Sequence, residues 1–241
     1  ETYGIEAEDF LSADLEIVPA GRARDLGVDR SMILAYGHDD RVCAFTSVFA
    51  MLDLADEITE HTLCCLLVDK EEIGNVGATG MASQFFENTI AELVAATERD
   101  SQLLVRRALA SSKMLSSDVS AGFDPLYADV YEKKNSAFLA KGLAFNKYTG
   151  SRGKRGSSEA TAEFVAQIRR IMEDADVMYQ FSELGKVDAG GGGTIAHLMA
   201  EYGMNVIDSG VSVLNMHAPY EVVSKADVYE AVRGYRAFLR A

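Results

Sequence analysis

Cysteine, proline and positive charge are all scarce in this chain, and each shortage closes off a class of protein. The 3 cysteines among 241 residues are Cys43, Cys64 and Cys65, with no Cys-x-x-Cys spacing. A thiolate zinc site is therefore not expected, and buried, reduced thiols of a cytoplasmic protein are. Lys and Arg number 23 against 37 Asp and Glu, a net charge of −14 that argues against a nucleic-acid or anionic-membrane partner. No apolar run approaches the 18 or so residues of a transmembrane helix, and no secretory leader pattern is visible. Proline is held to 3 while glycine reaches 20 and hydrophobic residues 48%, a balance that suits an ordered chain with a sizeable core. One domain spanning 1–241 is expected.

What is present alternates. Strands are expected near residues 11–18, at Met32 to Tyr36, at His61 to Val68, at Met114 to Asp118, at Leu143 to Tyr148, at Val177 to Phe181, at Asn205 to Asp208 and at Val211 to Asn215. Helices are expected over Phe45 to Ala55, around Phe86 to Val94, over 101–110, from a Ser157 or Ser158 cap through Met172, and from near Thr194. A last helix would start at a Ser224-to-Asp227 capping box. Residues 119–141 read as loop, and Arg152 to Arg155 as a solvated basic loop within reach of a peptide carboxylate. This order predicts an α/β fold, three layers α/β/α around a mixed, largely parallel sheet.

Chemistry-bearing residues fall where such sheets place ligands, beyond strand ends. Asp39, Glu72, Asp118 and His217 each follow an apolar run. A carboxylate and imidazole set suits Zn²⁺, Co²⁺ or Mn²⁺, and a bridging carboxylate can hold two metals about 3.5–4 Å apart. The adjacent Glu71 and Glu72 can divide a task, one binding metal while the other moves a proton, or they are a solvated acidic turn. The tetraglycine run Gly190 to Gly193 lacks the GxGxxG and Gly-Lys-Ser/Thr patterns of nucleotide loops.

Five stretches in order carry a resemblance: Ala35-Tyr36-Gly37-His38-Asp39-Asp40-Arg41, Asp69-Lys70-Glu71-Glu72-Ile73-Gly74, Ser116-Ser117-Asp118-Val119, Gly192-Gly193-Thr194-Ile195 and Leu214-Asn215-Met216-His217. They resemble the successive motifs of the M18 (aspartyl aminopeptidase) family of metalloaminopeptidases, over about residues 12–240. The resemblance implies two divalent metals, zinc first with cobalt or manganese as substitutes, and removal of N-terminal residues from peptide substrates. It implies that Asp39 bridges the metals and that Glu72 and His217 complete one site. Asp118 would belong to the second, and Glu71 would be the general base. Lys147 would lie near the substrate pocket, and Gly192, Gly193 and Thr194 would line the site beside the scissile carbonyl. A homo-oligomer is implied as well.

The departures also carry expectations. The family places a further histidine ligand in an N-terminal segment, and an inserted oligomerisation domain, before the stretch that begins here; the chain is expected to correspond to the C-terminal part. His38, His61 and His197 are not good substitutes for that histidine. Ala121 and Asp124 stand where the animal enzymes carry histidines, which bears on preference for acidic residues. Two other readings share these residues: a non-catalytic scaffold or assembly subunit that keeps the fold, and a related two-metal hydrolase of N-acyl amino acids.

Overall fold

The computed structural model describes residues 2–97, 101–152, 155–186 and 188–241. Gly153 and Lys154 of the basic loop lie outside them.

Among the described residues, nine strands form two sheets. β1 (Arg24–Leu26), β2 (Met32–Ala35), β9 (Glu221–Ser224), β8 (Ser212–Leu214) and β4 (Ser120–Ala121) lie in that order in one sheet. β3 (Lys113–Ser117), β7 (Asn205–Gly210), β5 (Leu143–Asn146) and β6 (Tyr179–Ser182) form the other. Pairing is mixed: β3/β7, β4/β8 and β5/β6 are parallel, while β1/β2, β2/β9, β8/β9 and β5/β7 are antiparallel.

Helices cover both faces. Along β7 the alternation of a strand sends Val206 to one apolar cluster and Ile207 to the other, and β3 does the same with Met114 and Leu115. The Ile207 side packs on α1 (His38–Leu52), α4 (Ala162–Asp174) and α6 (Lys225–Arg240) through Cys43, Ala50, Phe164, Ile168, Ala231 and Tyr235. The Val206 side packs on α2 (Phe85–Ala95), α3 (Gln102–Ser111) and α5 (Ala196–Ala200) through Ile90, Val105, Leu109 and Met199. The result is the three-layer α/β/α arrangement that the alternating pattern predicts.

Several local expectations fail for identifiable reasons. Residues 61–68 form no ladder; only Asp69 makes an isolated bridge, to Gly80. An apolar run needs a free strand edge as partner, and here Leu66 and Val68 instead pack their side chains onto the α2/α3/α5 cluster. Cys64 is accordingly exposed and Cys65 half-buried, whereas Cys43 is buried in α1. Residues 11–18 are not a strand: a 3₁₀ turn spans Ala7–Ser12, and Leu15 and Ile17 face solvent. The loop at 119–141 contains β4 and a 3₁₀ turn, Pro125–Val130.

Of the two expected caps, one shifts, and the other keeps its position at Ser224 without its bond. Thr161, not Ser157 or Ser158, caps α4, its hydroxyl accepting from Phe164 N–H at 3.3 Å. The Ser224 capping box does not form, since Ser224 makes no side-chain cap bond. Asp227 is fully buried, and its two carboxylate oxygens accept Ala140 N–H and Gly142 N–H, each at 2.7 Å. Two backbone donors of one turn, that of Gly142 buried, compete better for this carboxylate than a helix end does.

Candidate metal centre

Four segments far apart in sequence meet at one end of the sheets. β2 ends at Ala35, Gly37 takes a left-handed conformation (φ 70°), and Asp39 stands at the start of α1 with non-helical backbone, φ −79° and ψ 110°. Arg41 fixes this turn by donating to the Gly37 and Tyr36 carbonyls at 3.1 and 2.9 Å. Glu71 and Glu72 open the 3₁₀ turn Glu71–Ile73. Asp118 follows β3, its N–H donating to the Ser209 carbonyl of β7 at 3.0 Å. His217 lies between β8 and β9 with φ 65°, the left-handed region that residues other than glycine visit uncommonly.

His217 Nε2 is 3.0 Å from Asp39 Oδ2 and 3.1 Å from Glu72 Oε1. One ligand atom from each of Asp39, Glu72 and His217 lies within 4.8 Å of the others. Asp39, Asp40 and Asp118 make a second group by the same measure. Of the sequence-selected ligands, then, all four converge, with Asp39 shared between the two groups. The donor chemistry fits a borderline divalent cation at the first group, which offers two carboxylates and one imidazole. The second group offers carboxylates alone, a harder set.

The electrostatics point the same way. Burial, with the Glu72 carboxylate next, raises Asp39 from 3.8 to about 6. Burial raises Asp40 to about 8, and pushes Asp118 well up, helped by Asp40, Asp39 and Glu71. Burial and then Glu72 also raise Glu71, whose charge in turn reaches Asp40 and Asp118. Carboxylates crowded this way favour protonation unless positive charge is brought among them, and a divalent cation reverses the preference.

Two of the other three histidines hydrogen-bond backbone carbonyls elsewhere. His38 Nε2 is 3.2 Å from the Ile33 carbonyl. His197 Nδ1 is 2.9 Å from the Thr194 carbonyl, though its ring is close enough to Glu71 to lower that group's pKa. Lys147 follows β5; its ammonium is 3.0 Å from Glu159 Oε1 and 3.9 Å from the centre of the Tyr148 ring.

The tetraglycine loop is pinned against Gly150, Arg152 and Gly156. Gly150 N–H donates to the Gly192 carbonyl at 2.7 Å, and Arg152 N–H to the Gly190 carbonyl at 2.9 Å. A Cβ on Gly191 (φ 105°) would meet the Gly150 carbonyl oxygen at 2.4 Å, so only glycine permits this approach. Thr194 is buried, its hydroxyl engaged by Asp208, by Ser116 at 2.8 Å and by Ala196 N–H at 3.0 Å. Its side chain anchors the loop and is not free to face a substrate.

Two buried acids escaped the sequence reading. Asp208 holds Thr194 from β7, and burial raises its pKa to about 6. Glu221, 2% exposed, accepts Asp39 N–H at 2.9 Å on one oxygen and His217 N–H at 2.8 Å on the other. The available signal was an acid opening the otherwise apolar strand Glu221-Val222-Val223.

A surface hollow of about 430 Å³ lies elsewhere, between α4 and α6. Its arginines Arg233, Arg236 and Arg240 pair with Glu230, Asp53 and Glu57.

The family model described as aminopeptidase I zinc metalloprotease (M18) matches residues 1–239. The chain is 59% identical over 239 residues to a probable M18 family aminopeptidase 1 of Clostridium acetobutylicum, covering 99% of this chain and 51% of that protein. An M18-family aminopeptidase crystal structure from Thermotoga maritima superposes with a TM-score of 0.94 at 42% identity, covering 99% of this chain and 53% of the other. A S. cerevisiae mApe1 dodecamer structure shares the fold, with a TM-score of 0.78 at 22% identity over 92% of this chain and 48% of that one. The chain spans about half the length of the curated relatives it matches.

Proposed function

We propose, for a chain that belongs to the M18 family of aminopeptidases, that it provides the metal centre and general base with which an N-terminal residue is cleaved from a peptide. The observation that carries this is the meeting of Asp39, Glu72 and His217 within 4.8 Å, with Glu71 beside them. Zinc held by Asp39, Glu72 and His217, and a second divalent cation by Asp39 and Asp118, would supply Lewis acidity for the carbonyl and an anchor for the free amine.

The chain's own groups do the rest. Glu71 stands outside both ligand groups, and its carboxylate, unlike that of Glu221, is not taken up by backbone N–H groups of the cluster among the described residues. Its raised affinity for protons suits a group that takes one from the attacking water and returns it to the departing amine. His217 presents Nε2 to Asp39 and Glu72, so it serves as a ligand only as the neutral ring with that nitrogen unprotonated. On the family resemblance, Gly192 and Gly193 would line the site beside the scissile amide. Lys147 has to leave Glu159 to meet a substrate, a short move for a side chain on the surface.

We place the protein in the cytoplasm, a setting consistent with its three free thiols. We also propose a homo-oligomer, on the precedent of the yeast dodecamer. Exposed, stacked Phe45 and Phe49 on α1 offer apolar surface for it.

The test is Glu71→Gln in the aminopeptidase-active form. Glutamine keeps the shape and cannot take the proton, so metal content should hold while turnover of aminoacyl substrates falls about 10²–10⁴-fold. Turnover near wild type in a metal-loaded variant would remove Glu71 from the chemistry.

A further inference from the structure

The buried carboxylate of Glu221 faces two backbone N–H groups, and they belong to two of the three residues of the first ligand group. One is Asp39, 182 positions away in sequence, at 2.9 Å; the other is His217, four positions away, at 2.8 Å. The sheet fixes this placement. In the β2/β9 ladder Glu221 stands opposite Ala35, the last residue before the Tyr36-Gly37 turn that delivers Asp39. The same residue closes the loop from β8 that carries His217.

We infer that Glu221 is a positioning residue of the metal centre: it sets the separation of Asp39 and His217 and so tunes affinity for the cation without touching it. This rests on the reading of Asp39 and His217 as ligands.

Three observations support it beyond the distances. His217 adopts φ 65°, a conformation that a residue with a side chain holds when its surroundings impose it. Among the described residues its N–H has Glu221 as acceptor, and its side chain is 61% exposed, so little packing holds it otherwise. Both carboxylate oxygens are used as acceptors, a demand that glutamine, with one oxygen and one NH₂, cannot meet. Glu221→Gln would set a donor against a donor at one of the two ligand-bearing turns, with almost no change of volume.

The experiment measures zinc affinity by chelator competition, and metal-free melting, for the wild-type chain, Glu221→Gln and Asp227→Asn. Asp227 is a buried carboxylate that also accepts two backbone N–H bonds, but to the Ala140 and Gly142 turn, so it reports a purely structural loss. Loss of partners that orient metal ligands typically weakens binding about 10–100-fold. Glu221→Gln should weaken zinc binding by that factor, while Asp227→Asn lowers the melting temperature and leaves zinc affinity within about twofold of wild type. Zinc affinity of Glu221→Gln within twofold of wild type overturns the inference, as does equal weakening in both variants. If Glu221→Gln does not fold, amide hydrogen exchange on the wild-type chain decides. The His217 amide, in an exposed loop, should be strongly protected together with that of Asp39, and rapid exchange of either overturns the assignment. Failure of the wild-type chain to bind zinc at all would count against the functional reading, and the exchange measurement would still judge the role of Glu221.

Discussion

Replacing Asp39 by asparagine should make the metal-free protein more stable at neutral pH and remove its stabilisation by zinc. Asp39 has an 8% exposed side chain and a pKa raised from 3.8 to about 6, first by burial and then by the Glu72 charge. A folded-state pKa above the unfolded one means that the folded chain binds the proton more tightly. The contribution to stability is fully present below about pH 4 and is lost as pH rises through about 6. The gap between 3.8 and about 6 corresponds to roughly 3 kcal/mol. Asparagine never ionises, so at pH 7 the metal-free variant should recover an amount of this order. For a domain of this size that is a rise of about 6–12 °C in melting temperature. Zinc should invert the order. At a thousandfold excess over its dissociation constant a ligand stabilises by about 4 kcal/mol, and the variant, lacking the shared ligand, should gain far less. Calorimetric melting at pH 4.5 and pH 7, with and without zinc, contains the whole test. A metal-free variant that melts below wild type at pH 7, or one that zinc stabilises as much as wild type, would refute the reasoning.

Two further substitutions probe the scaffold of the site. Asp227→Ala leaves the Ala140 N–H and the buried Gly142 N–H without their acceptor and should cost about 1–3 kcal/mol in chemical denaturation; a cost well under about 1 kcal/mol would mean that other groups satisfy them. Gly191→Ala combines a left-handed backbone with a Cβ 2.4 Å from the Gly150 carbonyl oxygen, so it should loosen the 190–193 loop and raise its susceptibility to limited proteolysis; unchanged cleavage there would contradict the close approach.

The cluster of Asp39, Glu72, Asp118 and His217 was legible because each follows an apolar run, and because five short motifs in order resemble those of one family. The three layers were legible because Val206/Ile207 and Met114/Leu115 belong to strands whose two faces are both apolar. Less could be read where a feature depends on a partner remote in sequence. The His61–Val68 run has the composition of a strand but no strand edge beside it, so its side chains are buried without a ladder. The Ser224 capping box has the right spacing, but Asp227 binds a turn some 85 positions away. Glu221 was not singled out from the sequence; its bonds to the Asp39 and His217 N–H groups are visible only once the β2/β9 register sets it beside the Asp39 turn.

Elemental analysis of the purified chain after exhaustive dialysis against metal-free buffer tests the central claim most directly. The account predicts one tightly held zinc per chain, lost in His217→Ala and Glu72→Gln, because the first group joins an imidazole to two carboxylates while the second has carboxylates alone. No retained metal, or metal retained undiminished in both variants, would contradict it.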